Sequence, residues 1–255
     1  MVIIMRKKMY LVLLILSLFF LSACSNPVDK FIKDVKKEVG NSIKNTSSKK
    51  IKESILYIND NYQKKIDKNF VYHTLLLEKL CDNAYLENSK IQRLSKAAYE
   101  YMFRQSTGNT KELEESLASV NEDLDNEVNT FYEAYQRSVL VTSYLSKAKT
   151  KLLVEAEEKD FVNINKINKA LDYIRDYYGN GFKNNEVTEY ICYYSLYLEK
   201  IGNKISKNND ITKLGKAVKK YMQEGRESSL KEIEELLNKV NSNRDALIGE
   251  LVNNN

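Results

Sequence analysis

One histidine and three cysteines are the residues of this chain with the widest chemical repertoire, and their placement excludes more than it offers. A helical zinc-protease motif needs two histidines, and a site of several imidazoles needs more than one, so neither is available. His73 lies among Val71, Leu75 and Leu76 in a stretch of helical periodicity, where it reads as a packing aromatic. No serine sits in a Gly-x-Ser-x-Gly setting. Gly179-Asn180-Gly181 is too short for a phosphate loop and lacks the trailing lysine and hydroxyl. Asn121-Glu122-Asp123-Leu124-Asp125 supplies calcium-type oxygens without the glycine of a calcium loop, and reads as a solvated helix face. No metal and no cofactor are expected. Carboxylates are plentiful, but a glycoside hydrolase built on them needs two convergent acids roughly 5–10 Å apart. Glu78 and Glu199, each followed by lysine, read more simply as members of surface helix pairs.

Cys24 has a different setting. Arg6-Lys7-Lys8 is a compact positive charge, Met9 to Phe20 is continuously apolar, and Leu21-Ser22-Ala23-Cys24 closes the run. The apolar stretch is shorter than the roughly 18–20 residues of a permanent membrane helix, which is the competing reading. Leu-Ser-Ala-Cys resembles the lipobox of bacterial lipoproteins. That resemblance covers only this segment and implies that residues 1–23 are a signal peptide cut off before Cys24. It further implies that the Cys24 thiol carries a diacylglyceryl group, with acyl chains of the palmitate type. The protein is then expected on the cell membrane, lipid-anchored at the extracytoplasmic face. Two acyl chains make a stable anchor where one is marginal.

Loss of Arg6, Lys7 and Lys8 leaves 37 basic residues against 35 acidic ones. A balance so near zero gives no support for a nucleic-acid partner. The only proline, Pro27, stands just past the expected anchor, and the eight glycines are scattered. Nothing therefore interrupts helix formation over long spans, and alternating strand patterns with Asn-Gly or Asp-Gly turns are absent. The expected fold class is all-α.

Residues 24–47 form a polar, amphipathic approach segment in which Val28, Ile32, Val35, Val39 and Ile43 recur at helical spacing. Ser47 or Ser48 can cap a helix striped by Ile51, Ile55, Ile58 and Tyr62, and Asp67 or Asn69 a helix carrying Phe70, Leu76, Leu77 and Leu80. A further helix with Ile91, Leu94, Ala98, Tyr101 and Met102 ends near Gly108. From Thr110 the periodic pattern runs without Gly or Pro to about Ala156, which favours one long helix over a break near Asn126–Thr130.

The pattern then repeats. Ile51, Ile55, Ile58 and Tyr62 fall on Ile167, Leu171, Ile174 and Tyr178, and Ile91, Leu94, Ala97, Tyr101 and Met102 fall on Ile211, Leu214, Ala217, Tyr221 and Met222. The chain reads as an internal duplication of a unit of about four helices, with repeat 1 at 48–128, a connecting helix at 129–162 and repeat 2 at 163–255. The period is too long for a solenoid, so two similar helix bundles are expected.

Tyrosine is the one compositional excess, at 18 residues with no tryptophan. Tyr190, Tyr193, Tyr194 and Tyr197 share a helix face next to Tyr177 and Tyr178. Helix packing with hydroxyls reaching the surface is the plainer reading; an aromatic surface for a protein, peptide or wall-component partner is the functional one. Cys81 and Cys192 fall at unmatched repeat positions and read as buried free thiols, despite an oxidising compartment. The expectation is a non-catalytic interaction module at the membrane, with a carboxylate-using cell-envelope hydrolase on a helical scaffold as the alternative.

Overall fold

The computed structural model describes residues 27–84, 89–182, 186–205, 209–225 and 227–253, so residues 1–23, expected to be a signal peptide, and Cys24 lie outside the described residues. Among those residues there are eleven α-helices and no strand. They are α1 (Pro27–Lys44), α2 (Ser48–Asn61), α3 (Lys68–Asn83), α4 (Lys90–Phe103), α5 (Thr107–Asn121), α6 (Leu124–Glu155), α7 (Ile164–Asn180), α8 (Glu189–Ile205), α9 (Asp210–Glu224), α10 (Glu227–Ser242) and α11 (Arg244–Asn253).

Short polar side chains set the helix starts. Ser47, Ser89, Ser106 and Asn163 each accept a hydrogen bond from the amide three residues on, Asn209 from the amide of Ile211, and Asp67 from Phe70 N at 2.8 Å. Each satisfies one of the amides that a helix N-terminus leaves without a partner, typically worth about 1 kcal/mol. Gly225 ends α9 in the left-handed region, at φ 66°, which a side chain would strain. Arg137 then donates to the carbonyls of Tyr221 and Met222 in the last turn of α9.

The chain forms two compact units, one holding α1–α5 and α6 as far as Tyr132, the other holding the rest of α6 with α7–α11. In unit 1, Ile51, Ile55 and Ile58 of α2 are fully buried with Phe70, Leu76 and Leu80 of α3. Burying one such side chain is worth about 1.5–3 kcal/mol, so these stripes hold the unit together. Within the segment 24–47, expected as a polar, amphipathic approach, residues 27–44 form α1, whose apolar face is buried in unit 1. Val28, Val35 and Val39 of α1 are buried, and the Ser42 hydroxyl lies 2.7 Å from that of Tyr72 on α3.

Unit 2 is organised on α8, in which every residue from Ile191 to Leu198 is buried. A helix that is apolar all round belongs at the centre of a bundle. Helices α8 and α9 approach closely because glycine permits it. A Cβ on Gly215 would lie 2.6 Å from the Ser195 carbonyl oxygen and 2.8 Å from the Glu199 amide nitrogen.

The single helix expected from Thr110 to Ala156 is two. α5 begins at Thr107 on its Ser106 cap and ends at Asn121; α6 starts at Leu124 and runs for 32 residues. The apolar stripe crosses the break without losing phase, through Leu117, Val120 and Val128, so periodicity alone did not reveal it. The acidic run that read as a solvated helix face is the turn itself. Asp125 and Glu127 occupy the first turn of α6, where the partial positive charge of the helix end favours them.

Candidate functional site

The second half of α6 carries more apolar side chain than it can bury. Val141, Leu145, Ala148 and Leu152 form one inward stripe at helical spacing. The neighbouring Leu153 and Val154 are 66% and 69% exposed, and Ile164 at the start of α7 is 53% exposed. Scattered surface leucines are ordinary, but here Leu153 forms part of the wall of a depression. An open groove of about 500 Å³ runs between α6, α8 and α9 of unit 2, with Leu152, Leu153 and Leu196 as its apolar surface. Lys149, Lys200, Lys219, Asn203 and Glu199 complete the lining.

The polar rim is ordered. Lys219 reaches across from α9 to the Glu199 carboxylate, Nζ–Oε2 2.5 Å. Glu199 therefore pairs with a neighbouring helix rather than within its own. Lys200 Nζ donates to the Leu152 carbonyl at 3.0 Å, in the last turn of α6, where a cation complements the helix dipole. Lys149 stands exposed. Three ammonium groups against one carboxylate leave the rim net positive.

Beneath the groove the last residue of α6 is locked to α7 and α8. Glu155 Oε2 accepts from Tyr193 Oη at 2.5 Å and from Lys166 Nζ at 2.8 Å, while Oε1 lies 3.9 Å from Lys151 Nζ. Lys166 also sits 5.2 Å from the ring centres of Phe161 and Tyr197, and the Tyr197 hydroxyl donates to the Phe161 carbonyl at 2.9 Å. Burial alone would push the Glu155 carboxyl up. The hydrogen bonds from Lys166 and Tyr193, with the charges of Lys166 and Lys151, outweigh it and hold the carboxyl below its ordinary range. Burial and the adjacent carboxylate push the Tyr193 phenol up, and burial does the same for Tyr197 and Tyr177. This cluster fixes the helix end that presents Leu153; its carboxylate is fully engaged in doing so.

The six tyrosines do not form one open face. Tyr193, Tyr194 and Tyr197 are buried, Tyr177 and Tyr178 are half-buried, and Tyr190 alone is largely open at 61% exposure. The shared helix face exists, but α8 is enclosed on nearly every side, so that face meets α6 and α7. Tyr173 stacks on Tyr177 and packs against Tyr190 and Tyr194, and Tyr177 donates to the Glu186 carbonyl at 2.5 Å.

The remaining candidates are spoken for locally. His73 Nδ1 lies 2.9 Å from Ser54 Oγ, whose own proton goes to the Lys50 carbonyl, so the imidazole nitrogen is the donor. Its ring stacks on Tyr57 at 4.5 Å, and burial pulls its pKa down. Cys81 and Cys192 are free thiols, each pushed up to about 12 by burial. A thiol held so far from ionisation is a poor nucleophile. Lys79 pairs with Asp82, and burial raises Glu78. Among the described residues no three His, Cys, Asp or Glu side chains converge as metal ligands. No described helix is long and apolar enough to cross a membrane.

Sequence reasoning missed Leu153, Lys149, Lys200, Lys219 and the Glu155–Lys166 pair. The one available signal was Leu152-Leu153-Val154, an apolar triplet wider than the stripe a single helix face buries. Compared with protein-family models, with curated proteins and with solved structures, the chain matches none.

Proposed function

We propose that this protein is a membrane-anchored, extracytoplasmic lipoprotein, acylated on Cys24, that acts as a non-catalytic interaction module. Its contact surface is the groove of unit 2, and its partner is a protein, peptide or wall component that offers an anionic segment with an apolar edge. The observation that carries the reading is the open, lysine-rimmed groove with Leu153 exposed on its wall. A concave apolar surface with a few convergent polar groups is the usual form of a binding site.

The reading includes an internal duplication, extended from four helices to six per unit, with α6 shared. Helices α4, α5 and α6 start at 90, 107 and 124, and α9, α10 and α11 start at 210, 227 and 244, each 120 residues later. The caps Ser89 and Asn209 are separated by the same interval. Tyr101 of α4 donates to the Tyr62 carbonyl just past the end of α2, and Tyr221 of α9 to the Phe182 carbonyl just past the end of α7. The hydroxyl pair Ser42–Tyr72 corresponds to the Glu155–Tyr193 pair.

With the intervals of 113, 121 and 120 residues set by Ser42–Glu155, Tyr72–Tyr193 and Ser89–Asn209, Gly40, Asp82 and Tyr99 of unit 1 stand where unit 2 has Leu153, Asn203 and Lys219. The exchange adds an apolar wall and a cation and removes an acid, which supports specialisation of unit 2 for an anionic partner. The test is crosslinking on intact cells that produce the protein, read by mass spectrometry, with Cys24→Ala and Leu153→Asp beside the parent chain. A specific partner lost in both variants is the expected result. No partner, together with release of wall fragments by the purified protein, would overturn the reading in favour of a hydrolase.

A further inference from the structure

We propose that unit 1 rests directly on an anionic lipid surface through the pole at which α1 begins. The proposal builds on the lipoprotein reading of Cys24 and adds an orientation and a second membrane contact to it. Only Ser25 and Asn26 separate Cys24 from Pro27, and three residue steps of extended chain span at most about 3.6 Å each, so the anchor lies within about 11 Å of the fold. There is no tether to lengthen that reach. The helix starts at Pro27, and Val28, its second residue, is already buried.

The surface presented at that pole suits a membrane. A shallow groove of about 240 Å³ is lined by Pro27, Val28, Ile66, Met102 and Phe103, with Lys65 and Gln105 at its edge. Ile66 and Phe103 are half-buried, leaving apolar edges outward, while Lys64, Lys65, Lys68 and Arg104 are exposed around them. Lys64 bonds to the neutral Asn61 side chain and so keeps its charge available. Of the acids nearby, Asp67 caps α3 and accepts from Tyr57, Glu114 accepts from Tyr62, and Asp29 and Glu100 are exposed. Over residues 63–68 and 103–105, which border the groove, four cations stand against the one carboxylate of Asp67. Apolar side chains entering the headgroup boundary beneath a basic rim are the general form of a peripheral membrane contact. The screening length at physiological salt, about 8 Å, is comparable to the reach of the anchor, so these cations act within the field of the lipid charges.

The chain contains no tryptophan, so one introduced indole reports its own depth. The full lipidated protein is reconstituted in phosphatidylcholine vesicles carrying about one-third phosphatidylglycerol, with brominated lipid as quencher. Gln105→Trp places the indole at the groove; Phe103→Trp is a second reporter, and Asp123→Trp marks the turn between α5 and α6. Bromolipid is expected to remove about half of the Gln105→Trp emission and leave Asp123→Trp unchanged. Adding Lys64→Glu, Lys65→Glu and Arg104→Glu is expected to restore the Gln105→Trp emission about twofold. Unquenched emission from both groove reporters, in protein that is acylated, folded by circular dichroism and floating with the vesicles, overturns the docking and leaves the anchor intact. Protein recovered without acylation on Cys24 overturns both.

Discussion

The lock at the end of α6 gives the sharpest test of how this fold presents its groove. Glu155→Gln keeps the shape and an acceptor for the Tyr193 hydroxyl but removes the charge that holds Lys166 at 2.8 Å. The Glu155 side chain is 17% exposed, so solvent replaces little of what is lost. Hydrogen bonds to a charged group are worth about 1.5–3 kcal/mol each, and one of the two survives as a neutral bond, which puts the loss at about 2 kcal/mol. At 1.36 kcal/mol per decade this is roughly a 30-fold rise in local opening. The assay is amide hydrogen exchange followed by mass spectrometry, comparing peptides from the end of α6, from α7 and from α8 with peptides from α2–α5. Protection should fall in the first group and stay constant in the second. The acid limb tests the same contact. Because the folded carboxyl titrates below its unfolded value of about 4.5, its contribution is present above that pH and is lost as pH falls through the folded value. The Glu155→Gln protein should lack that part of the acid dependence. Less than about a threefold change in protection, with an unaltered acid limb, would refute the claim that this carboxylate fixes the helix end.

Two further outcomes follow from the packing. Gly215→Ala drives a methyl against the Ser195 carbonyl and the Glu199 amide, backbone groups that cannot rotate away. Overpacking of about 1–3 kcal/mol exceeds the helix-propensity gain of about 1 kcal/mol, so the thermal midpoint of unit 2 should fall by a few degrees; a rise would refute the close approach of α8 and α9. His73 is pulled down by burial against the opposing charges of Glu53, Asp67 and Glu38. Its unfolded form therefore binds the proton more readily, and unit 1 should be fully stable above about pH 6.5 and lose stability as pH falls towards the folded value. Urea titrations of the parent chain and His73→Gln at about pH 7.5 and pH 5 check this, the variant showing the smaller change.

The helical class was legible because it depends on local spacing. Ile51, Ile55 and Ile58 repeat at a helical interval and are buried in that phase. Ser47, one of two candidate caps, is the one whose oxygen meets an amide. The break between α5 and α6 was not legible, because the stripe keeps its phase across Glu122–Asp123 while the backbone turns. The tyrosines of α8 could be read two ways for a related reason. Spacing places Tyr193, Tyr194 and Tyr197 on one face, but only the neighbours decide whether a face meets solvent, and here α6 and α7 cover it.

The sequence by itself determined the helical class, several helix starts and which side of each helix is apolar, since caps and periodicity act within a few residues. It also carries the lipobox-like segment, a signal held in consecutive residues. The tertiary structure decided which apolar residues remain outside and which charges meet. Leu153 and Leu152 are neighbours of identical type and both line the groove, yet Leu153 is largely exposed while Leu152 is buried in the core. Glu155, Lys166 and Tyr193 lie on three helices and meet only because α6, α7 and α8 pack together. Such meetings depend on the positions of whole helices, which no short window of sequence contains.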